Sequence, residues 1–219
     1  MENSNSKSAF TYYLYFLILA RGECMRESSR NKKFEEYVVV LDFLPLGRLS
    51  KKPAYLQEPL IQVVGEKYFS LLELTTTKDA PINLHDRLNI NPRVKRKQDN
   101  ILHVKRRINI EELTITATRE LPFAIEKIVT MQENRFVTFF NDAKPITTRR
   151  HQLQLLAGVG KKFVIEILNE RKKGPFKSFI DIEERTRVHP KKVIVRRILV
   201  ELEGNEKRYL FARPPIQGG

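Results

Sequence analysis

Cysteine is nearly absent from this chain of 219 residues, which contains only Cys24, and tryptophan is missing altogether. A single thiol cannot build a disulfide framework or a thiolate zinc site within one chain. Proteins without disulfides are typical of reducing compartments, so we expect a cytoplasmic protein. The chain is long enough to bury a hydrophobic core without help from metals or disulfides.

Sequence motifs of catalysis and metal binding are also missing. The four histidines include no pair at the three- or four-residue spacing that places two ligands on one helix face. No Gly-x-Ser-x-Gly elbow, His-Glu-x-x-His motif, dinucleotide fingerprint or tight carboxylate cluster occurs. The Gly-Val-Gly-Lys at 158–161 is not a P-loop, because Leu155 replaces the first glycine and Lys162 replaces the Ser or Thr that binds magnesium. We expect no catalytic residue, metal site or small-molecule substrate; a nuclease assembled from distant carboxylates is the alternative.

Long hydrophobic runs are absent. The longest, Phe10 to Ala20, is shorter than the ~20 apolar residues that a helix needs to cross a bilayer. It has the length of a signal-peptide core, but its leader contains Glu2 and no small-x-small cleavage pattern follows. We favour translation beginning at Met25, with residues 1–34 as an extension outside the folded domains, and expect no membrane association.

Positive charge is what the chain has in excess. Lys and Arg number 40 against 26 Asp and Glu, which gives a net charge of +14 and an isoelectric point near 9.9. Such an imbalance is typical of proteins that bind polyanions, above all nucleic acids. Residues 144–197 hold 15 of the basic residues and only five acidic ones. A second basic run comprises Arg93, Lys95, Arg96, Lys97, Lys105, Arg106 and Arg107.

The first part of the chain has the pattern of short β-strands. Residues rich in β-branched and aromatic side chains, bounded by Gly and Pro, predict five strands. These are Tyr37–Leu44, Leu60–Val64, Tyr68–Leu74, Asp86–Ile90 and Ile101–Ile110. Five short strands within residues 35–110 predict a small OB-like barrel, the commonest nucleic-acid-binding barrel of this size.

After Glu111 the hydrophobic period changes from two to about 3.6, which predicts helices. The pattern predicts a helical linker over residues 111–145, built from Glu111–Leu121, Pro122–Gln132 and Asn134–Ala143, and an all-α domain over 146–219. In this domain we expect helices from Thr148 to Leu156, from the next glycines to about Lys172, and from Lys191 to Leu202. Phe136, Phe139 and Phe140 share a helix face and are expected to pack between the two halves.

The most specific pattern is a pair of glycines astride one hydrophobe. Gly158 and Gly160 allow a sharp turn and a close approach of the backbone, while Val159 anchors the turn inward. The amides at the start of the following helix favour an anion, and Lys161 and Lys162 add charge. We predict a phosphate-binding hairpin; a plain tight turn between packed helices is the alternative. The expected nucleic-acid-binding residues are Gly158, Val159, Gly160, Lys161, Lys162, Arg149, Arg150, Arg93, Lys95, Arg96 and Lys97.

These residues resemble the helix-hairpin-helix motif of DNA repair and competence proteins. Leu156-Ala157-Gly158-Val159-Gly160 matches its hairpin, and residues 174–182 resemble the connector between paired hairpins. The second hairpin departs from the motif, because Thr186-Arg187-Val188-His189-Pro190 stands where Gly-hydrophobe-Gly would be. The resemblance implies backbone-phosphate contacts without base reading, and a monovalent cation at the carbonyls of Leu156 and Val159.

A wider resemblance covers Glu35 to Phe211. LDFLPLG at 41–47, VVGEKYFSLLEL at 63–74, AGVGKK at 157–162 and PFKSFIDI at 175–182 are similar to an archaeal family, domain of unknown function 655. The resemblance implies a barrel joined to a helix-hairpin-helix domain and an archaeal source. We therefore expect an α+β protein that binds DNA or RNA without sequence specificity. A protein-interaction adaptor that uses the hairpin as scaffold is a further alternative.

Overall fold

The protein is described by a computed structural model that covers residues 34–48, 58–77, 80–91 and 101–216. The described residues from Glu35 onward form one compact unit. The predicted extension, residues 1–34, lies outside the described residues except for Phe34, and so do Arg93, Lys95, Arg96 and Lys97 of the second basic run.

The β part is a five-stranded antiparallel sheet. Its strands are β1 (Tyr37–Leu44), β2 (Leu60–Gly65), β3 (Leu71–Thr76), β4 (Arg87–Asn89) and β5 (Ile101–Arg107). They lie in the order β4-β1-β2-β3-β5. In the described residues β4 and β5 are the outer strands, so the sheet is open, which is consistent with an OB-like domain. The predicted α+β class, with a β part followed by helices, is confirmed.

Both faces of the sheet are covered. Val38 to Leu41 are all fully buried, and because side chains alternate along a strand, successive residues belong to different cores. Val39 and Leu41 face the core shared with the helices, whereas Val38 and Val40 pack with Ile61 and other residues in a second cluster. This two-sided burial explains why β1 is a nearly continuous apolar run.

The longest helix, α1 (Ile115–Met131), contains Pro122 in its interior. The sequence predicted two helices that meet at this proline, and that prediction was wrong. An interior proline costs about 3 kcal/mol through a lost hydrogen bond and a clash with the preceding turn. Fully buried apolar residues on both sides of it, from Ala117 to Val129, hold one continuous helix against the sheet and offset this cost. The 3-10 helix Ile110–Glu112 precedes α1.

Helix α2 (Glu133–Asp142) follows directly and matches its predicted bounds to within one residue. Phe136 and Phe140 are fully buried, as predicted, and Phe136 packs edge-on against Phe211 with 5.4 Å between ring centroids. The segment predicted as a helical linker, residues 111–145, therefore supplies the centre of the core that joins sheet and helices.

The predicted helix Thr148–Leu156 was wrong. A small β-hairpin, β6 (Pro145–Thr147) and β7 (Arg150–His151), occupies its first part, and the 3-10 helix Gln152–Leu155 follows. The amide of Gln152 donates to the carbonyl of Lys144 (3.0 Å), and the side-chain oxygen of Gln152 accepts from the amide of Lys144 (2.7 Å). These bonds give the amides of Lys144 and Gln152 hydrogen-bond acceptors without an α-helix.

Three helices complete the fold: α3 (Lys161–Lys173), α4 (Phe179–Arg185) and α5 (Pro190–Leu202). Ser178 caps α4 by accepting from the amide of Asp181. After α5 the chain returns to the sheet, where the amide of Arg213 donates to the carbonyl of Tyr68 (2.8 Å). The C-terminal segment thereby connects the helices to the β2–β3 turn.

Candidate nucleic-acid interface

The hairpin has the shape that its glycines predict. Val159 is buried, and its amide donates to the carbonyl of Leu156 at 3.0 Å, which closes the turn. Gly158 has a φ of +87°, a left-handed conformation that side chains other than glycine rarely adopt. A Cβ built at Gly158 or Gly160 would meet nothing within 4 Å. Both glycines therefore face open space, and only Gly158 is required by backbone geometry.

Helix α3 begins at the hairpin without a side-chain cap. Gly160 is its N-cap residue and has no side chain that could accept from the first amides. These amides have no intrahelical partner, and the helix dipole adds about half a positive charge at this end. An anion placed there would accept hydrogen bonds from the backbone.

Four cationic side chains surround this helix end: Lys161 and Lys162 on α3, and Arg149 and Arg150 on the β6–β7 hairpin. All four are exposed. Within the residues that the structure describes, none of them forms an ion pair, whereas Lys173 at the other end of α3 pairs with Glu170. The structure thus brings seven of the predicted binding residues, Gly158 to Lys162 with Arg149 and Arg150, into one region. Their charges are not neutralised by neighbouring carboxylates.

A groove of about 600 Å³ runs along the hairpin. Its lining includes the backbone of Ala157 to Gly160, the side chains of Arg150 and Gln154, and Arg197 and Glu206. Arg197 is almost fully buried, and its Nη1 donates to the carbonyl of Leu155 (3.2 Å) and pairs with Glu206 (3.1 Å). Arg197 was not among the residues predicted from the sequence to line the site. The available signal was its position in the helical repeat, because it falls on the buried apolar stripe with Ile194 and Ile198.

The hairpin carbonyls are where the resemblance implies a monovalent cation. The carbonyl of Leu156 accepts one hydrogen bond, from Val159, and a carbonyl oxygen has two lone pairs. The carbonyls of Leu156 and Val159 are therefore compatible with such a cation, which would add positive charge beside the α3 amides.

His151 lies at the base of this region. It is buried, and its Nδ1 accepts from the amide of Leu153 at 3.2 Å, which starts the 3-10 helix before the hairpin. Burial and, to a lesser extent, the positive charge of Arg171 lower the pKa of His151 below the ordinary 6.5. The neutral ring is the form that keeps this hydrogen bond.

The second, degenerate hairpin packs without the geometry of the first. Val188 is buried like Val159, and the hydroxyl of the fully buried Thr186 donates to the carbonyl of Ile182 at 2.7 Å. Lys191 at the start of α5 pairs with Glu126 of α1. This turn stabilises the fold, and Lys191, the first cation of α5, already has an acidic partner.

The residues of the second basic run that the structure describes form ion pairs or hydrogen bonds within the protein. Lys105 pairs with Glu58, and Arg106 pairs with Glu73 and Glu112. Arg107 donates to the carbonyl of Arg213 at 2.9 Å and also to that of Pro214. These strand residues hold the sheet edge and the C-terminal segment, in contrast to the free cations around α3.

The described residues contain neither a metal-binding cluster nor a membrane-spanning helix. No group of three or more His, Cys, Asp or Glu side chains lies close enough together to hold a metal ion in this part of the chain. Among the helices that are described, none has the length and apolar character to cross a bilayer.

Residues 34–213 match the family model described as protein of unknown function, DUF655. The chain belongs to the DUF655 family. A relative, the uncharacterized protein MJ0038 of Methanocaldococcus jannaschii, is 43% identical over 195 residues, which are 87% of each chain. The crystal structure of the DUF655 protein Af1531 from Archaeoglobus fulgidus is 45% identical, with a TM-score of 0.74 over 82% of this chain and 100% of Af1531. The predicted family and its archaeal affinity are confirmed.

Proposed function

We propose that this DUF655 protein binds nucleic acid through its phosphate backbone, with the Gly158–Gly160 hairpin and the start of α3 as the contact. The observation that carries the proposal is an uncapped helix N-terminus surrounded by four exposed cations that have no acidic partner among the described residues. Backbone amides and the helix dipole favour a phosphate, and the basic side chains add long-range attraction.

The arrangement favours binding without sequence specificity. Amides and the flexible ammonium groups of Lys161 and Lys162 recognise phosphate, which is common to all sequences, and phosphate contacts set position without reading bases. The helix-hairpin-helix interpretation applies to the hairpin and α3, since a 3-10 turn stands in place of the first helix. On this proposal, the sheet is an OB-like domain that contributes further contacts through the predicted binding residues Arg93, Lys95, Arg96 and Lys97.

The experiment is fluorescence anisotropy of labelled DNA and RNA with the full chain and two charge variants. Lys161→Gln with Lys162→Gln removes two charges at the start of α3, and we expect a loss of affinity of about tenfold or more. Lys172→Gln with Lys177→Gln is the matched control, because it removes the same charge from exposed side chains in the last turn of that helix and beyond it.

The two variants separate a local site from general attraction. An equal loss in both would show that net charge, and not the hairpin, governs binding. Binding of no nucleic acid at low salt by a folded wild-type protein would refute the proposal and favour the adaptor. Magnesium-dependent cleavage of the oligonucleotides would instead favour a nuclease.

A further inference from the structure

A second groove adjoins the hairpin, between the β6–β7 hairpin and the side of α3. It measures about 360 Å³, which lies at the small end of typical ligand pockets of roughly 300–1,000 Å³. It shares Arg150 and Gln154 with the groove along the glycine hairpin, so the two grooves are neighbours. We call it the α3 slot.

The α3 slot is apolar between basic edges. Val164, Ile165 and Leu168 of α3 form one wall. Arg149, Arg150 and Lys161 line its edges, and no acidic residue is among the side chains that line it. Ile165 is 59% exposed, whereas Val164 is buried and Leu168 is half-buried, so Ile165 is the apolar side chain of this wall that a ligand can reach.

The slot lies where the helix predicted over residues 148–156 is absent. The β6–β7 hairpin and the 3-10 helix Gln152–Leu155 stand in its place, and the bonds between Gln152 and Lys144 hold this turn. Residues of the β6–β7 hairpin line the slot on the side away from α3. The exposed side chain of Ile165 therefore lines a groove between two elements.

We propose that the α3 slot takes an unpaired nucleobase, so that this protein prefers single-stranded to duplex nucleic acid. The inference rests on the proposed function, because the phosphate next to that base would be the one bound at the start of α3. A nucleotide presents a flat apolar face beside an anion, which complements an apolar wall with cationic edges. Arg guanidinium planes also stack on bases.

Duplex bases do not fit this slot without leaving their stack. A paired base exposes only its edges, and extruding it costs unpairing and unstacking energy. Base contacts of single strands tolerate any sequence, since every base has a face that can pack. The slot therefore adds strand preference to the hairpin without adding sequence preference.

The test compares single-stranded DNA and RNA of about twelve nucleotides with the matching duplexes. Ile165→Gln keeps the size and charge of the side chain and makes the wall polar. We expect it to weaken single-strand binding about tenfold and to leave duplex binding unchanged. Ile180→Gln on α4 is the matched control, because Ile180 is similarly exposed at 67% and is not among the residues that line the slot.

An abasic oligonucleotide tests the slot with the wild-type protein, so the result does not depend on whether a variant folds. It keeps the phosphates and lacks the bases, so wild type should bind it about tenfold more weakly than the intact strand. Ile165→Gln should then cause no further loss, because the interaction it removes is already gone.

The outcomes distinguish the two proposals. If wild type binds no nucleic acid, the proposed function fails and the slot proposal fails with it. If wild type binds single strands and duplexes equally and Ile165→Gln has no effect, the phosphate site stands and the slot proposal is overturned. Stronger binding of RNA or of DNA in the single-strand arm would identify the natural ligand.

Discussion

Arg197 and Glu201 form a buried ion pair one turn apart on α5, with 2.7 Å between Nε and Oε1. Glu201 is fully buried and also accepts from the amides of Leu210, Phe211 and Ala212 at 2.6 to 2.9 Å. Arg197 donates to the carbonyl of Leu155 directly before the glycine hairpin, and to that of Arg208. This pair therefore connects the hairpin to the C-terminal segment.

Removing one partner of this pair should destabilise the protein strongly. Glu201→Ala leaves three backbone amides without their acceptor inside the protein and removes the fully buried partner of Arg197, which keeps Glu206. The loss of a buried ion-pair partner typically costs about 3–5 kcal/mol. Urea unfolding followed by circular dichroism measures the free energy of unfolding. Glu203→Ala is the control, because Glu203 is exposed and the expected change lies within about 0.5 kcal/mol. Equal, small effects of both changes would contradict a structural role of the pair.

The same substitution at the two hairpin glycines should have opposite effects on stability. Gly160→Ser supplies the missing N-cap oxygen of α3 at a φ of −77°, so we expect the free energy of unfolding to rise by a few tenths of a kcal/mol. Gly158→Ser places a side chain at a φ of +87°, which should cost about 1–2 kcal/mol. Thermal unfolding of the two variants checks both signs.

Gly160→Ser should also weaken nucleic-acid binding although it stabilises the fold. The new hydroxyl would accept from the amides that the phosphate uses, and it would occupy the open space in front of them. We expect about a tenfold loss of affinity in anisotropy titrations, from one to two lost phosphate contacts. Unchanged affinity in this stabilised variant would mean that the α3 N-terminus does not contact the ligand.

Stability should decrease as the pH falls below the ordinary histidine range because of His151. Burial and Arg171 lower its pKa in the folded protein, so the unfolded chain binds a proton more readily. The contribution of His151 is therefore fully present above the unfolded pKa of about 6.5 and is lost as the pH falls below it. Urea unfolding at about pH 7.5 and 5.5 measures the change. His151→Gln should reduce this pH dependence, and an identical dependence in that variant would assign it to other groups.

The sequence was sufficient for the elements whose boundaries are set locally. Tyr37–Leu44 was predicted to the residue, because its apolar run ends where Pro45 and Gly47 interrupt it. The sharp turn at 158–160 was predicted as well, because two glycines around one hydrophobe allow the turn and Val159 anchors it inward. In both cases the signal lies within a few residues.

The wrong predictions concern contacts that the local pattern does not contain. Nothing in residues 148–156 shows that Gln152 bonds back to Lys144, so a helical pattern was read where a β-hairpin forms. Pro122 was interpreted as a helix start, because the burial that keeps α1 continuous through it depends on contacts with the sheet. Arg197 entered the sequence analysis only as one of the 15 basic residues of 144–197, because nothing local distinguishes this buried side chain from its exposed neighbour Arg196 except helical phase.

Binding should depend steeply on salt, with a slope that reports the number of phosphates contacted. Each neutralised phosphate releases condensed counterions, so the logarithm of affinity falls linearly with the logarithm of salt concentration. If about six phosphates are contacted, affinity should fall roughly a thousandfold between ~50 and ~200 mM salt.

The variants separate the charge contacts, which set the slope, from the apolar contact, which does not. Lys161→Gln with Lys162→Gln should reduce the slope by roughly two contacts, because each lysine neutralises one phosphate. Ile165→Gln should lower single-strand affinity at every salt concentration and leave the slope unchanged, because it removes an apolar contact and no charge. Titrations at four or more salt concentrations give both quantities. A flat salt response in wild type would contradict the electrostatic mechanism, and a reduced slope for Ile165→Gln would mean that the α3 slot binds phosphate instead of a base.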